Sequence, residues 1–262
     1  MNVFEYMGVG EEEKPLDRMV TDGGFCSIFR TIACIGDSLS SGEFESKKPD
    51  DTKRYHDFYE YSWGQFIARS AGSKVYNFSK GGMTAQAYME DFADVNGFFG
   101  KDKLCQAYII ALGVNDLFGR NMEVGSVADI DKDDYTKNAK TFAGYYAQII
   151  QKIKQMQPRA KFFLVSIPRD GNEQDAKRKE HRELLQAFTE YFDRTYLIDL
   201  FTYAPVYDKA FCEKYFLGHM TPTGYVLTAR MIESYIDYII RKNPKDFAQV
   251  GFIGTDMYYE QE

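Results

Sequence analysis

The sequence predicts an α/β protein whose parallel β-sheet is covered by helices on both faces. Three observations support this. Short apolar runs with β-branched residues recur along the chain, longer amphipathic stretches of helical period lie between them, and neither a repeat nor a Pro/Gly/Ser-rich linker interrupts the pattern. Strands that alternate with helices imply βαβ crossovers, and such crossovers make a parallel sheet with buried faces.

The strand candidates are short and bounded by turn residues, as expected for buried strands. They are residues 31–35, 74–78, 107–112, 161–167 and 195–200. The sequence therefore predicts a five-stranded parallel sheet.

The helix candidates show helical periodicity and recognisable stops. FYEYSWGQFIARSAG ends at a glycine, and YTKNAKTFAGYYAQIIQKIKQMQP ends at Pro158. EQDAKRKEHRELLQAFTEYFD is long and heavily charged, and a last helix is predicted over roughly residues 223–241. We interpret residues 1–29 as a lead-in, 30–242 as one domain, and 243–262 as a tail that packs on the body or on a partner subunit, which would allow a homo-oligomer.

Composition argues against several classes of protein. The net charge of −7 over 262 residues argues against a broad nucleic-acid-binding face, which needs clustered basic residues. No apolar run approaches the length of a membrane span, and the N-terminus lacks the features of a secretory signal. Four scattered cysteines indicate neither a disulfide framework nor a zinc site. We therefore expect a reduced, cytoplasmic protein with neither nucleic acid nor membrane as a partner.

Candidate site residues are sought where the strands end, because open parallel sheets bind ligands beyond the carboxyl ends of their strands. Four polar, glycine-bearing loops lie there. They are residues 36–42 (GDSLSSG), 77–85 (NFSKGGMTA), 113–119 (GVNDLFG) and the loop FLGHMTPTGY before the last helix. The sequence predicts that these loops converge at one edge of the sheet.

The first of these loops permits three interpretations: a turn with a helix cap, a phosphate cradle, or a serine nucleophile. A phosphate cradle is weakly supported, because five residues separate Gly36 from Gly42 and no Lys-Ser/Thr pair follows. The GxSxG elbow of α/β-hydrolases is absent, since Ser40 stands two residues after Ser38. Asp and Ser also favour helix caps, so the loop alone leaves the cap and the nucleophile open.

Together the four loops resemble the blocks of the SGNH/GDSL hydrolase family of esterases, lipases and deacetylases. GDSLS looks like the first block, NFSKGGMT is similar to the second, and GVNDL matches the GxND of the third. The resemblance implies Ser38 as nucleophile, Gly82 and Asn115 as oxyanion donors and His219 as general base. It also implies a flavodoxin-like three-layer α/β/α fold that hydrolyses carboxylic esters through an acyl-serine, with no cofactor and no metal.

The chain departs from that family at one position. An aspartate usually stands three residues before the histidine, and here Phe216 occupies that place. We expect a Ser38–His219 dyad whose imidazole is held by a main-chain carbonyl near Phe216 and Leu217. The alternative is a carboxylate from elsewhere, and the nearest in sequence are Asp199, Asp208 and Glu213.

The remaining polar candidates are assigned structural roles. His181 is expected on the solvated face of its charged helix, and His56 is expected to be structural. Asp37 is expected to cap the helix after Ser38, and Asp116 to support the loop after Asn115.

The segment around His56 is rich in aromatic residues. Tyr55, Phe58 and Tyr59 could form a lip over the serine, although packing is the more common use of such clusters.

The predicted function is hydrolysis of a small-molecule or carbohydrate ester, with an acetyl ester of a sugar as one candidate. Two alternatives stay open at this point. One is an acyltransferase on the same scaffold, and the other is a non-catalytic ligand-binding protein, which the missing aspartate favours.

Overall fold

In the computed structural model, which describes residue 8 and residues 10–251, a five-stranded parallel sheet has the order β4-β1-β5-β6-β7. The strands of the described residues, numbered in chain order, are β1 Thr31–Gly36, β2 Glu43–Lys47, β3 Lys53–Asp57, β4 Lys74–Ser79, β5 Ala107–Ala111, β6 Lys161–Val165, β7 Thr195–Ile198, β8 Phe216–Leu217 and β9 His219–Met220. All five predicted sheet strands are confirmed, and their order is that of a flavodoxin-like fold.

Helices cover both faces of this sheet. The α-helices of the described residues are α1 Ser38–Ser41, α2 Trp63–Ala71, α3 Ala85–Ala87, α4 Ala93–Val95, α5 Phe142–Met156, α6 Asp175–Tyr191, α7 Leu200–Tyr203, α8 Lys209–Tyr215 and α9 Pro222–Lys242. The long helices α5, α6 and α9 and the shorter α2 correspond to the four helices that periodicity predicted.

Successive residues of a sheet strand pack into two different apolar cores, one on each face of the sheet. On β1, Ala33 and Ile35 pack with α5 and α6, whereas Ile32 and Cys34 pack with α2 and α9. Every residue of β6 is buried. Because both faces of the sheet are covered, a central strand reads as a continuous apolar run rather than as an alternation.

Local sequence signals determine where the helices begin and end. α2 begins after Ser62, whose hydroxyl accepts the Gln65 N–H, and ends at Gly72, which has φ of 65°. α9 begins after Thr221, whose hydroxyl accepts the Gly224 N–H, with a proline in its first turn. These are ordinary capping arrangements, in which a side chain or a left-handed glycine satisfies the ends of the helix.

An antiparallel hairpin lies between α1 and α2 and was not predicted. Strands β2 and β3 pair in a register that sets Glu43 opposite Asp57 and Phe44 opposite His56. β2 also packs against β9, the short strand that carries His219. The hairpin therefore brings a separate segment of chain to the loop before the last helix.

The ends of the described chain pack against the body. Arg241 pairs with Glu13 at 2.6 Å, and the Val20 N–H donates to the Ser234 hydroxyl at 3.0 Å. Phe247 is buried against Phe29 and Phe163. The rest of the predicted tail, residues 252–262, lies outside the described residues. Within the residues described, no helix has the length and apolar character needed to cross a membrane.

The prediction for His181 is wrong. Its side chain is fully buried under α5, with Nε2 3.2 Å from the Leu112 carbonyl oxygen and its ring 5.4 Å from that of Phe142. Only one face of α6 is charged, and Leu184, Leu185 and Phe188 share the buried face with His181. Burial lowers the pKa of His181 to about 4.

This burial predicts a specific loss of stability in acid. As the pH falls through about 6.5, His181 takes up a proton in the unfolded chain but stays neutral in the folded protein until about pH 4. The free energy of unfolding should therefore fall by about 2 kcal/mol between pH 7 and pH 5 from this group alone. In His181→Gln the amide can still donate to the Leu112 carbonyl oxygen. Urea denaturation of this variant should therefore not show the fall in the free energy of unfolding that His181 causes between pH 7 and pH 5.

The matched control is His56→Gln, because His56 is only half-buried and lies on the hairpin. The free energy of unfolding of His56→Gln should change with pH in the same way as that of the wild type. Parallel stability curves for wild type and His181→Gln would contradict the assignment.

Candidate active site

Ser38 lies in the tight loop where β1 leaves the core. Asp37 caps the short helix α1 by accepting the Leu39 N–H at 3.0 Å, as predicted. The helix ends at Gly42, with φ of 85°. Gly36 packs directly against the Ser40 side chain, so a Cβ at Gly36 would collide with it. Ser38 itself is half-buried and is presented at the first position of α1.

Two backbone N–H groups in the strand-end loops, those of Ser38 and Gly82, are unpaired in the described residues. Gly82 has φ of 71°, is exposed, and has open space where a side chain would project. Such a position favours glycine because a Cβ strains left-handed backbone.

Asn115 ties three loops together. Its Nδ2 lies 3.3 Å from Asp37 Oδ2 and 3.2 Å from the Met83 carbonyl oxygen. The loops after β1, β4 and β5 are thereby joined through one side chain. Asn115 is half-buried, so its amide lies at the boundary between the core and the site.

Asp116 has a structural role, as predicted, but its carboxylate binds the loop after β4. Its Oδ1 accepts the Ala85 N–H at 2.9 Å, and its side chain is fully buried. Burial raises the pKa of Asp116 to about 6, because a carboxylate loses solvation in the core.

His219 contacts carboxylates that the sequence did not suggest. Its Nε2 lies 3.1 Å from Glu43 Oε1, and its Nδ1 lies 3.9 Å from Glu45 Oε2. Nδ1 is buried and has no hydrogen-bond partner among the described residues. The expected main-chain carbonyl at Nδ1 is therefore not found. Both glutamates come from β2 of the hairpin.

The carboxylates that were candidates by proximity in sequence have other roles. Asp199 caps α7 and pairs with Arg182 at 2.9 Å. Asp208 caps α8, and Glu213 is exposed and lies 3.9 Å from Lys209. Those contacts account for all three without His219.

Tyr225 connects the hairpin to the loop that carries Ser38. Its ring is buried, and its hydroxyl lies 2.7 Å from the Glu43 carbonyl oxygen and 3.4 Å from that of Ser38. α1 also packs against β9. Ser38, Glu43 and His219 therefore belong to one packed unit, although the Ser38 hydroxyl and the imidazole make no hydrogen bond within the described residues.

The predicted aromatic lip is only partly assembled at the site. The Tyr55 ring is exposed, with its centroid 5.6 Å from that of His219. Phe58 is exposed and packs on Phe44 at 5.8 Å. The Tyr59 hydroxyl is bound to the Val75 carbonyl oxygen at 2.5 Å, which ties Tyr59 to the edge strand β4. Tyr55 is the member of this set that contacts the imidazole.

A mostly apolar cavity of about 290 Å³ lies beside the loop that carries Ser38. Its lining includes Leu39 and Ser40 from that loop and Phe216 and Met220 from the segment around His219. The Ser40 hydroxyl is buried without a partner in the described residues. The site thus has apolar space beside Ser40, and Gly82 is not part of its lining.

The arrangement of these loops agrees with a comparison of sequence families. The model of the GDSL-like Lipase/Acylhydrolase family matches residues 34–227, which is most of the chain. The chain belongs to this family. The resemblance read from the four loops is confirmed, and so is the prediction of an ester-hydrolysing enzyme. A search of curated proteins found no matching sequence.

Solved structures share the fold at low sequence identity. A protein from Lactobacillus plantarum superposes with a TM-score of 0.57 at 15% identity, covering 80% of this chain and 97% of its own. A family two carbohydrate esterase from Clostridium thermocellum, in complex with cellohexaose, superposes with a TM-score of 0.55 at 17% identity. The match covers 80% of this chain and 64% of the esterase. A Corynascus thermopiles family two carbohydrate esterase with a carbohydrate-binding domain superposes with a TM-score of 0.53 at 18% identity. The match covers 79% of this chain and 65% of that protein. The chain therefore spans under two thirds of these two esterases.

The buried carboxyl beside Ser38 predicts a pH effect of the opposite sign to that of His181. Burial raises the pKa of Asp37 to about 7. Between about pH 4 and pH 7 the unfolded chain therefore loses this proton while the folded protein keeps it, and the free energy of unfolding falls as pH rises. Asp37→Asn stays neutral and can still accept the Leu39 N–H. Between pH 5 and pH 8 its free energy of unfolding should therefore rise by about 3 kcal/mol relative to that of the wild type.

Guanidinium denaturation at each pH measures this difference. Asp208→Asn, an exposed cap of α8, is the matched control and should show no such trend. A difference between wild type and Asp37→Asn that does not change with pH would refute the buried-carboxyl interpretation.

Proposed function

We propose that this enzyme cleaves a carboxylic ester through a covalent acyl-serine, with Ser38 as nucleophile and His219 as general base. The observation that carries the proposal is the meeting of four loops at one edge of the sheet. The loops of Ser38, Gly82 and Asn115 follow three neighbouring strands, and His219 is joined to them through Glu43 and Tyr225.

The residues suit the steps of acyl transfer. A serine hydroxyl is a weak nucleophile until a base accepts its proton, and an imidazole can do so near neutral pH. As Ser38 Oγ attacks, the carbonyl oxygen of the substrate gains negative charge. The unpaired N–H groups of Ser38 and Gly82 supply donors for that charge, and donors held in place in advance stabilise the transition state. Water then hydrolyses the acyl-serine with the same base.

Asn115 has a double role in this proposal. Its amide supports the oxyanion site, but both of its N–H groups already have acceptors in Asp37 and Met83. It therefore holds the three loops at the spacing that the oxyanion requires and offers a shared hydrogen bond to the substrate.

For the substrate we propose a small ester, with an acetylated carbohydrate as the first candidate. The exposed Tyr55 ring beside His219 offers an aromatic face where a sugar could stack. Carbohydrate esterases with the same fold lend support at the level of architecture. A panel of p-nitrophenyl acetate, butyrate and longer esters, together with acetylated oligosaccharides, tests this choice. Faster turnover of long acyl chains would favour the apolar cavity as the acyl site instead.

The nucleophile is tested by covalent labelling. A fluorophosphonate probe should modify the protein once, at Ser38, and Ser38→Ala should abolish both labelling and turnover. Intact-mass and peptide mass spectrometry measure the modification. Ser40→Ala is the matched control, because Ser40 lies in the same loop but its hydroxyl is buried. Undiminished labelling of Ser38→Ala would rule out this nucleophile.

Asn115 is tested by separating turnover from stability. Asn115→Ala should lower kcat by about 10²–10³ with little change in KM. The same change leaves Asp37 Oδ2 and the Met83 carbonyl without this donor, so the free energy of unfolding should also fall by about 1–3 kcal/mol. Steady-state kinetics and thermal denaturation measure the two effects. A stability loss with turnover intact would make Asn115 a purely structural residue.

A further inference from the structure

The residue that orients His219 is not at the position where the sequence would place it. We infer that Glu43 is the positioning residue for the His219 imidazole, taking the role that the absent aspartate at position 216 would have. This inference rests on the proposed function, since it concerns the base of that reaction. It assigns the acid to the β2–β3 hairpin rather than to the loop that carries the histidine.

The contact has the geometry of a charge-assisted hydrogen bond. Glu43 Oε1 lies 3.1 Å from His219 Nε2, and the two side chains are only 13% and 18% exposed. Water competes weakly in such surroundings, and a bond between an imidazole N–H and a carboxylate is stronger there than at a solvated surface. A ring held in this way has one orientation and one tautomer.

The tautomer follows from the contact. An ionised carboxylate can only accept, so Nε2 carries the proton and donates it to Glu43. Nδ1 then carries the lone pair, and it has no hydrogen-bond partner among the described residues. This is the reverse of the arrangement expected from the sequence, in which Nδ1–H is held and Nε2 faces the serine.

The reaction balances with this tautomer. The Ser38 O–H bond breaks and its proton forms a bond to Nδ1, while Oγ bonds to the ester carbon and the carbonyl π pair moves to oxygen. The Nδ1 proton then passes to the leaving alcohol as the C–O bond breaks. A water molecule repeats both steps on the acyl-serine, and the enzyme returns to its starting state.

Two independent contacts fix Glu43 for this role. Its carbonyl oxygen accepts the Tyr225 hydroxyl at 2.7 Å, and the same hydroxyl reaches the Ser38 carbonyl oxygen. Its carboxylate occupies the space where a Cβ of Gly81 would project, directly before Gly82. Glu43 is therefore positioned against both the nucleophile loop and the loop with the free N–H donor.

The other charged groups around the imidazole are less well placed. Glu45 lies 3.9 Å from Nδ1, which is too far for a hydrogen bond, and it pairs with Lys53 at 2.9 Å. Asp57, opposite Glu43 in the hairpin, accepts the Ser41 hydroxyl at 2.7 Å. Tyr55 meets the imidazole with its ring edge-to-face. Glu45 adds negative charge near the imidazolium, but Glu43 is the hydrogen-bond partner.

Kinetics of matched variants test the assignment. Glu43→Gln should lower kcat by about 10³–10⁴, as expected when the charge that fixes a catalytic histidine is removed, with KM little changed. Glu43→Asp keeps the charge, so its kcat should be at least about tenfold higher than that of Glu43→Gln. Glu45→Gln should lose less than Glu43→Gln, and the exposed Glu213→Gln should keep wild-type turnover. Equal losses for Glu43→Gln and Glu45→Gln would overturn the inference.

The pH profile separates positioning from mere stability. Burial raises the pKa of Glu43, and the neighbouring His219 charge opposes this shift. The reaction needs Glu43 ionised and His219 neutral, so wild-type kcat/KM should fall on the acid side as this coupled pair takes up a proton. In Glu43→Gln that acid limb should move to lower pH. An unchanged acid limb would mean that Glu43 does not act on the base.

A spectroscopic readout is independent of hydrolysis. Three histidines occur in the sequence, so ¹⁵N NMR of the imidazoles can be assigned with His56→Gln and His181→Gln. The inference requires the Nε2–H tautomer of His219 in the wild type, and the Nδ1–H tautomer would refute it. Failure of fluorophosphonate labelling at Ser38 would refute the proposed function. The NMR experiment does not depend on labelling, so it tests the contact between Glu43 and His219 separately.

Discussion

The pairing of β1 with β4 on one side and β5 on the other determines the geometry of the site. β1 is the buried strand whose end carries Ser38, and its ladders run in parallel register to both neighbours. Parallel strands end at the same edge of the sheet, so the loops of Ser38, Gly82 and Asn115 are brought side by side by backbone hydrogen bonds alone. The side-chain contacts of Asn115 and Asp116 then refine a spacing that the sheet has already set.

His219 is positioned by a different kind of constraint. It belongs to a short strand before α9, outside the main sheet, and therefore depends on side-chain packing. The hairpin, Tyr225 and α1 together supply that packing. The difference matters because a ladder of backbone bonds tolerates most side-chain changes, whereas a side-chain contact is lost with a single substitution.

The sequence was informative where local patterns determine structure. Apolar runs located the five sheet strands, and a glycine and a proline located the C-terminal ends of α2 and α5 within two residues. The predicted stretches began five residues before α2 and seven residues before α5. The loops of Ser38, Gly82, Asn115 and His219 could be located because each lies at a strand end or just before a helix. The choice of residues within these loops came from the resemblance to the blocks of the family. Glu43 could not be found in this way. It lies far from His219 in sequence, and only the folding of the hairpin back onto β9 brings the two together.

The error for His181 had a signal that was available. His181, Leu184, Leu185 and Phe188 recur at the spacing of one helix face, so the histidine belongs to the apolar side of an otherwise charged helix. Charge content averaged along α6 hid this face. The hairpin also had a signal, the turn residues Pro49, Asp50 and Asp51 between two short polar segments. Strands with exposed faces lack the apolar run by which buried strands are recognised.

The hairpin has a consequence for how such an enzyme can diversify. Glu43 and Glu45, which surround the imidazole, and Tyr55, which forms the outer border of the site, all lie on β2 and β3. Changes in this segment therefore alter the outer border of the site and the charge around the histidine together. Recombination that exchanges the hairpin between related enzymes would transfer both properties as one module, whereas the loops of Gly82 and Asn115, carried by the sheet, would be inherited separately.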